Sequence, residues 1–291
     1  MPHPGPNHRR RPGATAALAA IVTATALSTL VTPGAGAAAT RAATVKLTPG
    51  EYSLPATVVS QVEAVPVATL VAQAVKRPAD AEPPQALKAG TAAFTVGGKP
   101  AVVFVGAEYC PYCASERWPL VMALSKFGTF EDLRGSMSST TDLGPRTPSF
   151  SFYRATYTSR YLSFLADEME TGTEQPLQAP TAEEQALVTK YDTTPYVPAA
   201  DAGQNPIPFV FMAGRYVMTG NQFNGSALSG MKWATAAAYL TSGANAMSKA
   251  VEASAGYLVG GICGLTHGQP AAVCSQVPAR LVGITTVHPP K

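Results

Sequence analysis

Charged residues are scarce in this chain of 291 residues. Asp, Glu, Lys and Arg make up only 13% of it, whereas about a quarter is usual in soluble domains. The 21 Lys and Arg nearly balance the 18 Asp and Glu, so the net charge of +3 creates no basic field that would attract nucleic acid. Gly and Pro, at 25 and 26 residues, stay below the share typical of low-complexity chains. We therefore expect a folded protein with one large domain or two small ones.

Cysteine is also scarce, with four residues in the chain. This number is too small for a scaffold held together mainly by disulfides, so the spacing of the four matters more than their count. Cys110 and Cys113 form a C-x-x-C motif, while Cys263 and Cys274 lie near the C-terminus. The chain has no second C-x-x-C.

The N-terminal sequence has the three parts of a secretory signal. Arginines at 9–11 precede an apolar run at 14–31, and small residues fill 35–39. This order predicts a signal peptide over residues 1–39. The alternative is an uncleaved membrane anchor through residues 14–31, which are barely long enough to span a bilayer. With either outcome we expect a secreted or extracytoplasmic protein, in a compartment where disulfides persist.

Beyond residue 40, segments typical of strands and of helices alternate, which indicates an α/β fold. A continuous apolar run at 101–105 predicts a buried strand, and helical spacing of apolar residues follows at 112–127. The sequence further predicts helices at 54–63, 66–75, 159–170, 181–190, 226–240 and 246–258, a loop at 129–149, a strand at 149–156, and a hairpin across 208–219.

These elements suggest a division of the chain. We expect a helical extension and linker at 40–89, and a main domain at 90–245 with an insertion at about 129–200. A C-terminal helix and a cysteine-containing loop would occupy 246–291. The insertion would either cover the C-x-x-C motif or only enlarge the core.

The C-x-x-C motif lies where the predicted strand gives way to the predicted helix. At the start of that helix, unpaired amides and the helix dipole would stabilise a Cys110 thiolate and make it the attacking sulfur. Cys113, one turn along, would resolve the mixed disulfide. Pro111 suits the first helical turn because its nitrogen needs no hydrogen-bond partner there.

This stretch resembles the thioredoxin superfamily, in which a strand leads into the C-x-x-C helix. Ile207-Pro208 and the hairpin after it resemble that family's cis-proline loop and terminal strands. The resemblance implies a central mixed sheet flanked by helices, with Pro208 cis and lying against the C-x-x-C. It also implies that the backbone of Ile207 meets an extended substrate strand, and that a redox-active disulfide replaces any other cofactor. Supporting roles near the site fall to these residues: Glu108, Tyr109, Pro111 and Tyr112.

Further segments resemble an uncharacterised prokaryotic thioredoxin-like family, domain-of-unknown-function family 929. They are Gly97–Pro100, Glu116-Arg117-Trp118 and Tyr157–Ser159. The family name implies an architecture rather than an activity.

The chain departs from the thioredoxin pattern at two positions. Thioredoxins bury a carboxylate six residues before the first cysteine, where this chain has Phe104. Glu108 is a possible substitute, although we expect it to be exposed. Pro119 falls one residue later than the helix-kinking proline of thioredoxin, so the helix is expected to bend differently.

The cysteines also allow other interpretations. A zinc site at Cys110 and Cys113 would need two more ligands from Cys263, His267 and Cys274, and we expect no metal. A static disulfide at a helix start is equally disfavoured. Cys263 and Cys274 are expected to form a structural disulfide that closes a short loop, and the alternative is a second redox pair.

The sequence thus predicts an exported thiol–disulfide oxidoreductase acting through Cys110 and Cys113, with the direction of electron flow undecided. Its expected partners are cysteine-containing proteins and a redox partner, without nucleic acid, and with a membrane only if the N-terminal segment stays uncleaved. The alternative is a binding or scaffold module that keeps the fold without turnover. We interpret four glutamates as solvated helix faces rather than acid–base groups: Glu168, Glu170, Glu183 and Glu184.

Overall fold

The computed structural model describes residues 47 and 50–282. These residues belong to one compact unit, Val45–Lys291. The expected signal peptide or anchor at 1–39 lies outside the described residues, as does the end of the predicted C-terminal loop from residue 283. Among the described residues no single helix is long and apolar enough to cross a membrane. Taken together, the first two helices have the length and composition of a membrane span, but they are bent by 61° relative to each other.

The described residues form strands and helices in alternation. In chain order the strands are β1 (Glu51–Tyr52), β2 (Gln85–Ala86), β3 (Thr95–Val96), β4 (Lys99–Gly106), β5 (Thr129–Glu131), β6 (Arg134–Met137), β7 (Pro148–Ser151), β8 (Thr156–Thr158), β9 (Ser163–Glu168), β10 (Phe209–Met212) and β11 (Tyr216–Thr219). The helices are α1 (Ala56–Glu63), α2 (Val67–Lys76), α3 (Pro111–Leu124), α4 (Ala182–Tyr191), α5 (Trp233–Leu240), α6 (Ala246–Leu265), α7 (Ala271–Cys274) and α8 (Ala279–Val282), with a short 3₁₀ turn at Ser226–Leu228.

A mixed sheet forms the centre of the protein, and β4 lies in its middle. This strand pairs in parallel with β9 and antiparallel with β10, while β11 and then β2 extend the sheet beyond β10. β3 pairs antiparallel with the start of β4. The expected α/β class, with a central mixed sheet flanked by helices, is therefore confirmed.

The alternation of side chains along β4 builds two cores. Val102 and Phe104 belong to the larger core, which includes side chains of α2, α3 and α6. Val103 and Val105 point to the opposite face and pack with Val188 and other residues of α4 and the hairpin. Because both faces are covered, the strand is apolar throughout rather than alternating with polar residues.

Two local predictions are confirmed. Helix α4 begins with a capping box in which Thr181 accepts a hydrogen bond from the amide of Glu184, whose side chain accepts one from the amide of Thr181. The hairpin joins β10 to β11 in the expected place.

The helix predicted at 159–170 is wrong. Residues 163–168 form β9, whose backbone pairs with β4 over six consecutive positions. That ladder satisfies the hydrogen bonds which a helix would otherwise have made, so tertiary pairing overrides the local pattern. The loop predicted at 129–149 is also wrong in part, because β5, β6 and the start of β7 lie there. These strands belong to two small sheets, β1-β6-β7 and β5-β8.

The C-terminal region differs from the prediction as well. The helix expected to end at residue 258 continues to Leu265, so Cys263 lies in a helix rather than in a loop. This helix is buried along most of its length, and its packing outweighs the low helix propensity of its glycines. The helix predicted at 226–240 is divided into the 3₁₀ turn and α5.

Helices α2 and α6 pack so closely that Gly256 leaves no room for a side chain. A Cβ at this position would lie 2.2 Å from the carbonyl oxygen of Leu70. We expect Gly256→Ala to lower the free energy of unfolding by about 1–3 kcal/mol, because backbone must move to accept the methyl group. Urea unfolding would measure the loss.

Gly261 in the same helix provides a matched control. A Cβ at this position would lie 3.0 Å from its nearest neighbour, the Cε atom at the flexible end of Met212. Gly261→Ala is therefore expected to be neutral or to stabilise, since alanine is the better helix former by about 1 kcal/mol. Equal effects of the two substitutions would contradict the assignment of a close helix contact at Gly256.

Cys263 and Cys274 form a disulfide that links α6 to α7 across 11 residues of sequence separation. Closing a loop of this length restricts the unfolded chain. We expect the double substitution Cys263→Ser and Cys274→Ser to lower the free energy of unfolding by about 2–3 kcal/mol, measured by urea unfolding. Unchanged stability would mean that the linked segment gains nothing from the bond.

Candidate active site

The C-x-x-C motif lies at the junction between the central strand and α3. Strand β4 ends at Gly106, and Cys110 is the residue that caps the helix, with extended backbone angles. Its sulfur accepts a hydrogen bond from the amide of Cys113 at 3.3 Å. Both cysteines are free thiols, and Pro111 occupies the first helical position. This is the geometry in which helix amides face the first sulfur.

The two thiols have opposite pKa shifts. The hydrogen bond from the Cys113 side chain lowers the pKa of Cys110, and helix amides and the Arg117 cation act in the same direction against the effect of burial. Burial raises the pKa of Cys113 well above its usual value, and the neighbouring Cys110 raises it further. Cys110 therefore ionises first, while Cys113 keeps its proton.

The loop before β10 faces the first cysteine. The Ile207–Pro208 peptide bond is cis, as the resemblance implies. The thiol of Cys110 donates to the carbonyl oxygen of Ile207, with a sulfur–oxygen distance of 3.9 Å. Because Phe209 pairs with Val105 near the end of β4, the register of the sheet brings this loop to the C-x-x-C.

A buried ion pair lies beneath the motif. Arg117 and Glu168 are both fully buried, and the guanidinium Nε donates to Oε1 of Glu168 at 2.8 Å. A second guanidinium nitrogen donates to the other carboxylate oxygen and to the carbonyl of Ala107, the latter at 2.8 Å. The guanidinium carbon also lies 5.3 Å from the ring centroid of Phe104.

Glu168 was expected on a solvated helix face, and this prediction is wrong. The residue ends β9, where its carboxylate has a cation to pair with. Glu184 is also buried, in its capping box, whereas Glu170 is half-buried and Glu183 is exposed. Glu168 can be buried because it pairs with Arg117, which is distant in sequence, and Glu184 because it takes part in the helix cap.

Glu108 is fully buried, so the expectation that it is exposed is wrong. The hydroxyl of Ser151 donates to one carboxylate oxygen, and the amide of Gly172 donates to the other at 3.2 Å. Burial raises the pKa of Glu108 to about 7, and the charge of Glu168 raises it in addition. Both residues that cover Glu108 belong to the insertion.

The insertion also covers the side of α3. The amide of Ser139 donates to the carbonyl of Tyr109 at 2.7 Å, and the hydroxyl of Ser149 donates to the carbonyl of Ala114 at the same distance. The indole of Trp118 donates to the carbonyl of Pro148 at 3.0 Å. The insertion thus packs against the loop before Cys110 and along α3, and it enlarges the core.

Solvent reaches the site unevenly. Cys110 is 5% exposed, while its neighbour Tyr112 is 45% exposed. A cavity of about 90 Å³ adjoins Tyr112. Its lining comes from α3, from the insertion and from the segment after β11: Pro111, Tyr112, Ser115, Leu143, Gly144, Thr147, Asn224, Gly225 and Ser226.

Two buried charged groups near the motif belong to a segment that carries the family 929 resemblance, but we predicted no role for either of them. Arg117 is one, and Glu116 is the other. The amide of Gln222 donates to one oxygen of Glu116 at 3.0 Å, and burial raises the pKa of this carboxyl to about 8. Their adjacency resembles an exposed charge pair in the sequence, and no local signal marks them as buried.

The remaining predicted groups lie elsewhere. Cys263 and Cys274 form their own disulfide. His267 follows α6 and is exposed. Among the described residues no group of three or more His, Cys, Asp and Glu could hold a metal ion.

The chain matches a model of one protein family, described as Domain of unknown function (DUF929), over residues 85–263. This range includes the central sheet from β2 to β11, the C-x-x-C and the cis-proline loop, and it is more than half of the 291 residues. Comparisons with curated proteins and with solved structures find no significant match. The protein is therefore a member of the DUF929 family.

Proposed function

We propose that the protein is an exported thiol–disulfide oxidoreductase that acts on cysteines of other proteins through Cys110 and Cys113. The observation that carries the proposal is the opposite shift of the two thiol pKa values at a helix start that faces a cis-proline loop. A nucleophile that is ionised and a partner that keeps its proton are the two components of an exchange reaction.

The proposal includes a thioredoxin-like fold for the central region. Strands lie side by side in the order β9, β4, β10 and β11, with the C-x-x-C after β4 and the cis proline before β10. This arrangement supports the resemblance, because it brings the two loops together at one edge of the sheet. The helices α1 and α2, the two small sheets and α7 are additions to that core.

The reaction transfers two electrons and one disulfide bond. The Cys110 thiolate attacks a substrate disulfide, a Cys110–substrate disulfide forms, and the first substrate thiolate leaves. The sulfur of Cys113 then attacks the sulfur of Cys110 as its proton passes to the second departing substrate thiolate. The enzyme ends as a Cys110–Cys113 disulfide and the substrate as a dithiol, and the reverse sequence oxidises a substrate dithiol.

Ile207 and Pro208 have a positioning role in this scheme. The carbonyl of Ile207 already contacts the sulfur of Cys110, so a substrate strand that reaches this sulfur passes along the same loop. The exposed side chain of Tyr112 and the cavity beside it lie next to that path. Glu108 and Tyr109 lie in the loop that carries Cys110, and the insertion contacts both of them.

Trapping the covalent intermediate tests the proposal. We expect Cys113→Ala to form a one-to-one mixed disulfide with a small peptide that contains a disulfide, because the bond at Cys110 can no longer be resolved. Mass spectrometry after acid quenching would locate the adduct on Cys110. The wild-type protein should show no stable adduct, since Cys113 resolves it.

The matched control is the double variant Cys110→Ser and Cys113→Ala, which lacks both sulfurs of the motif. It should form no adduct. If folded Cys113→Ala forms no adduct with the peptide, that result would contradict turnover and favour a binding or scaffold module.

A further inference from the structure

We propose that Arg117 is a positioning residue of the thiol pair: its buried guanidinium, oriented by Glu168, stabilises the thiolates and thereby sets the reduction potential. The inference rests on the proposed exchange function. It concerns a cation on α3, in a chain that has Phe104 where the thioredoxin pattern has a buried carboxylate.

The geometry directs Arg117 toward the motif. It follows Cys113 by four residues on α3, so the two side chains share one face of the helix. Its guanidinium donates to the carbonyl of Ala107, and the same carbonyl accepts the amide of Cys110 at 3.3 Å. The cation is thereby fixed to the loop that carries the first cysteine.

The packing around the resolving cysteine includes the same cation. A Cβ placed on Gly106 would lie 3.1 Å from the sulfur of Cys113 and 2.6 Å from the ring of Phe104. The guanidinium of Arg117 lies over that ring. The thiol, the aromatic ring and the cation therefore form one buried layer, in which charges act more strongly than they would in water.

Arg117 still has a donor to offer. Its Nη1 is buried, and no hydrogen-bond partner for this atom is found among the described residues. The other two nitrogens are occupied by Glu168 and by Ala107. A buried guanidinium with an unused donor beside a thiol pair is suited to offset the negative charge that exchange places on sulfur.

Among the charged groups near the two cysteines, Arg117 is the one that favours the thiolate forms. Arg117 lowers the pKa of both thiols. Glu168 from β9 and Glu108 from the loop before Cys110 carry the opposite charge. Tyr109 also lies near both thiols, whose negative charges contribute to raising its pKa. Because the pKa of Glu108 is raised to about 7, this carboxyl is partly neutral at neutral pH, whereas Glu168 forms the ion pair with Arg117.

Two substitutions at the ion pair should shift the thiols in opposite directions. In Arg117→Met with Glu168→Gln the cation is lost without an orphaned carboxylate, and we expect both thiolate pKa values to rise by about 1–3. The equilibrium constant with glutathione should shift toward the disulfide by about tenfold or more. In Glu168→Gln alone the cation loses its counter-ion, so the thiolate pKa values should fall.

The measurements use the reduced full-length protein. The ¹³Cβ chemical shifts of Cys110 and Cys113 would be followed against pH, and redox equilibria with glutathione would be quantified by mass spectrometry. A merely structural ion pair would reduce stability in both variants without moving the titrations in opposite directions.

Another buried ion pair, between Arg134 and Glu51, supplies the control. Arg134 lies 3.1 Å from Glu51 and links β6 to β1, and neither charge is among the main influences on the pKa of either thiol. Arg134→Met with Glu51→Gln should therefore leave both thiol titrations in place. Equal shifts in this control, or unchanged titrations in both Glu168→Gln and the double variant at Arg117, would overturn the inference. If the double variant fails to fold, the fall expected for Glu168→Gln decides alone.

The proposed function can fail separately from this inference. If the wild-type thiols titrate as described and respond to Arg117, but no Cys110–Cys113 disulfide forms with glutathione, the exchange function is wrong while the electrostatic assignment stands.

Discussion

Substitution of Cys110 by serine is expected to abolish thiol–disulfide exchange. We expect the rate with a peptide disulfide to fall on the order of a thousandfold or more, as is usual when a nucleophile is removed. The remaining thiol cannot take over, because Cys113 is fully buried and its pKa is raised well above the usual value. A stopped-flow or fluorescence assay of disulfide reduction would measure the loss.

The C-terminal disulfide offers the control for this experiment. The double variant Cys263→Ser and Cys274→Ser removes the same number of sulfurs as the C-x-x-C contains, yet should keep its exchange rate within about twofold if that bond is only structural. A large loss in this variant would instead support the alternative of an electron relay between the two pairs. Activity that survives in Cys110→Ser would contradict the role proposed for Cys110.

Glu116→Gln is expected to stabilise the protein at alkaline pH. The pKa of Glu116 is raised by burial from an ordinary 4.5 to about 8, so the native state holds a proton that the unfolded chain releases. The free energy of unfolding therefore falls as pH rises from about 4.5 to 8, and the full cost of a buried charge is reached above that range. Converted at 1.36 kcal/mol per pKa unit, the effect is about 3–5 kcal/mol.

Glutamine removes this titration while it keeps the shape of the side chain. Its carbonyl can still accept the hydrogen bond from the amide of Gln222. Urea unfolding at pH 5, 7 and 9 should show a gain for Glu116→Gln that grows with pH, while the exposed Glu183→Gln should change little. A gain that is equal at all three values would show that Glu116 is ionised in the native protein.

Other buried carboxyls act in the same direction. Burial raises the pKa of Glu108 to about 7 and that of Asp167 to about 6. The wild-type protein should therefore keep some loss of stability with rising pH even when Glu116 is replaced. The difference between variant and wild type isolates the contribution of Glu116.

The motif itself could be predicted because its determinants are local. A mostly apolar strand, three residues of loop and a C-x-x-C with proline at the first helical position are contiguous in sequence, and their geometry follows from backbone rules. The capping box of α4 and the hairpin were predictable for the same reason. The approach of Pro208 to Cys110 came only from resemblance, since 97 residues separate Ile207 from Cys110.

The charges around the motif could not be predicted in this way. A glutamate or an arginine is normally exposed unless a partner compensates its burial, and the partner of Arg117 lies 51 residues away. The error at 159–170 has the same origin, because a helix was assigned where parallel pairing with β4 makes a strand. Once β9 is a strand, Glu168 ends beside α3 and not on a solvated face.

The amino-acid sequence alone established the two thiols, their helix start, the α/β class and the family resemblance, because each depends on residues that are neighbours along the chain. Tertiary packing established which charges surround those thiols. Helix α3 is buried between the sheet, α6 and the insertion. Glu116 and Arg117, whose sequence is typical of an exposed charge pair, therefore lie in a medium of low polarity. In that medium a single buried arginine or carboxyl changes a pKa, and hence chemistry, by more than local sequence can indicate.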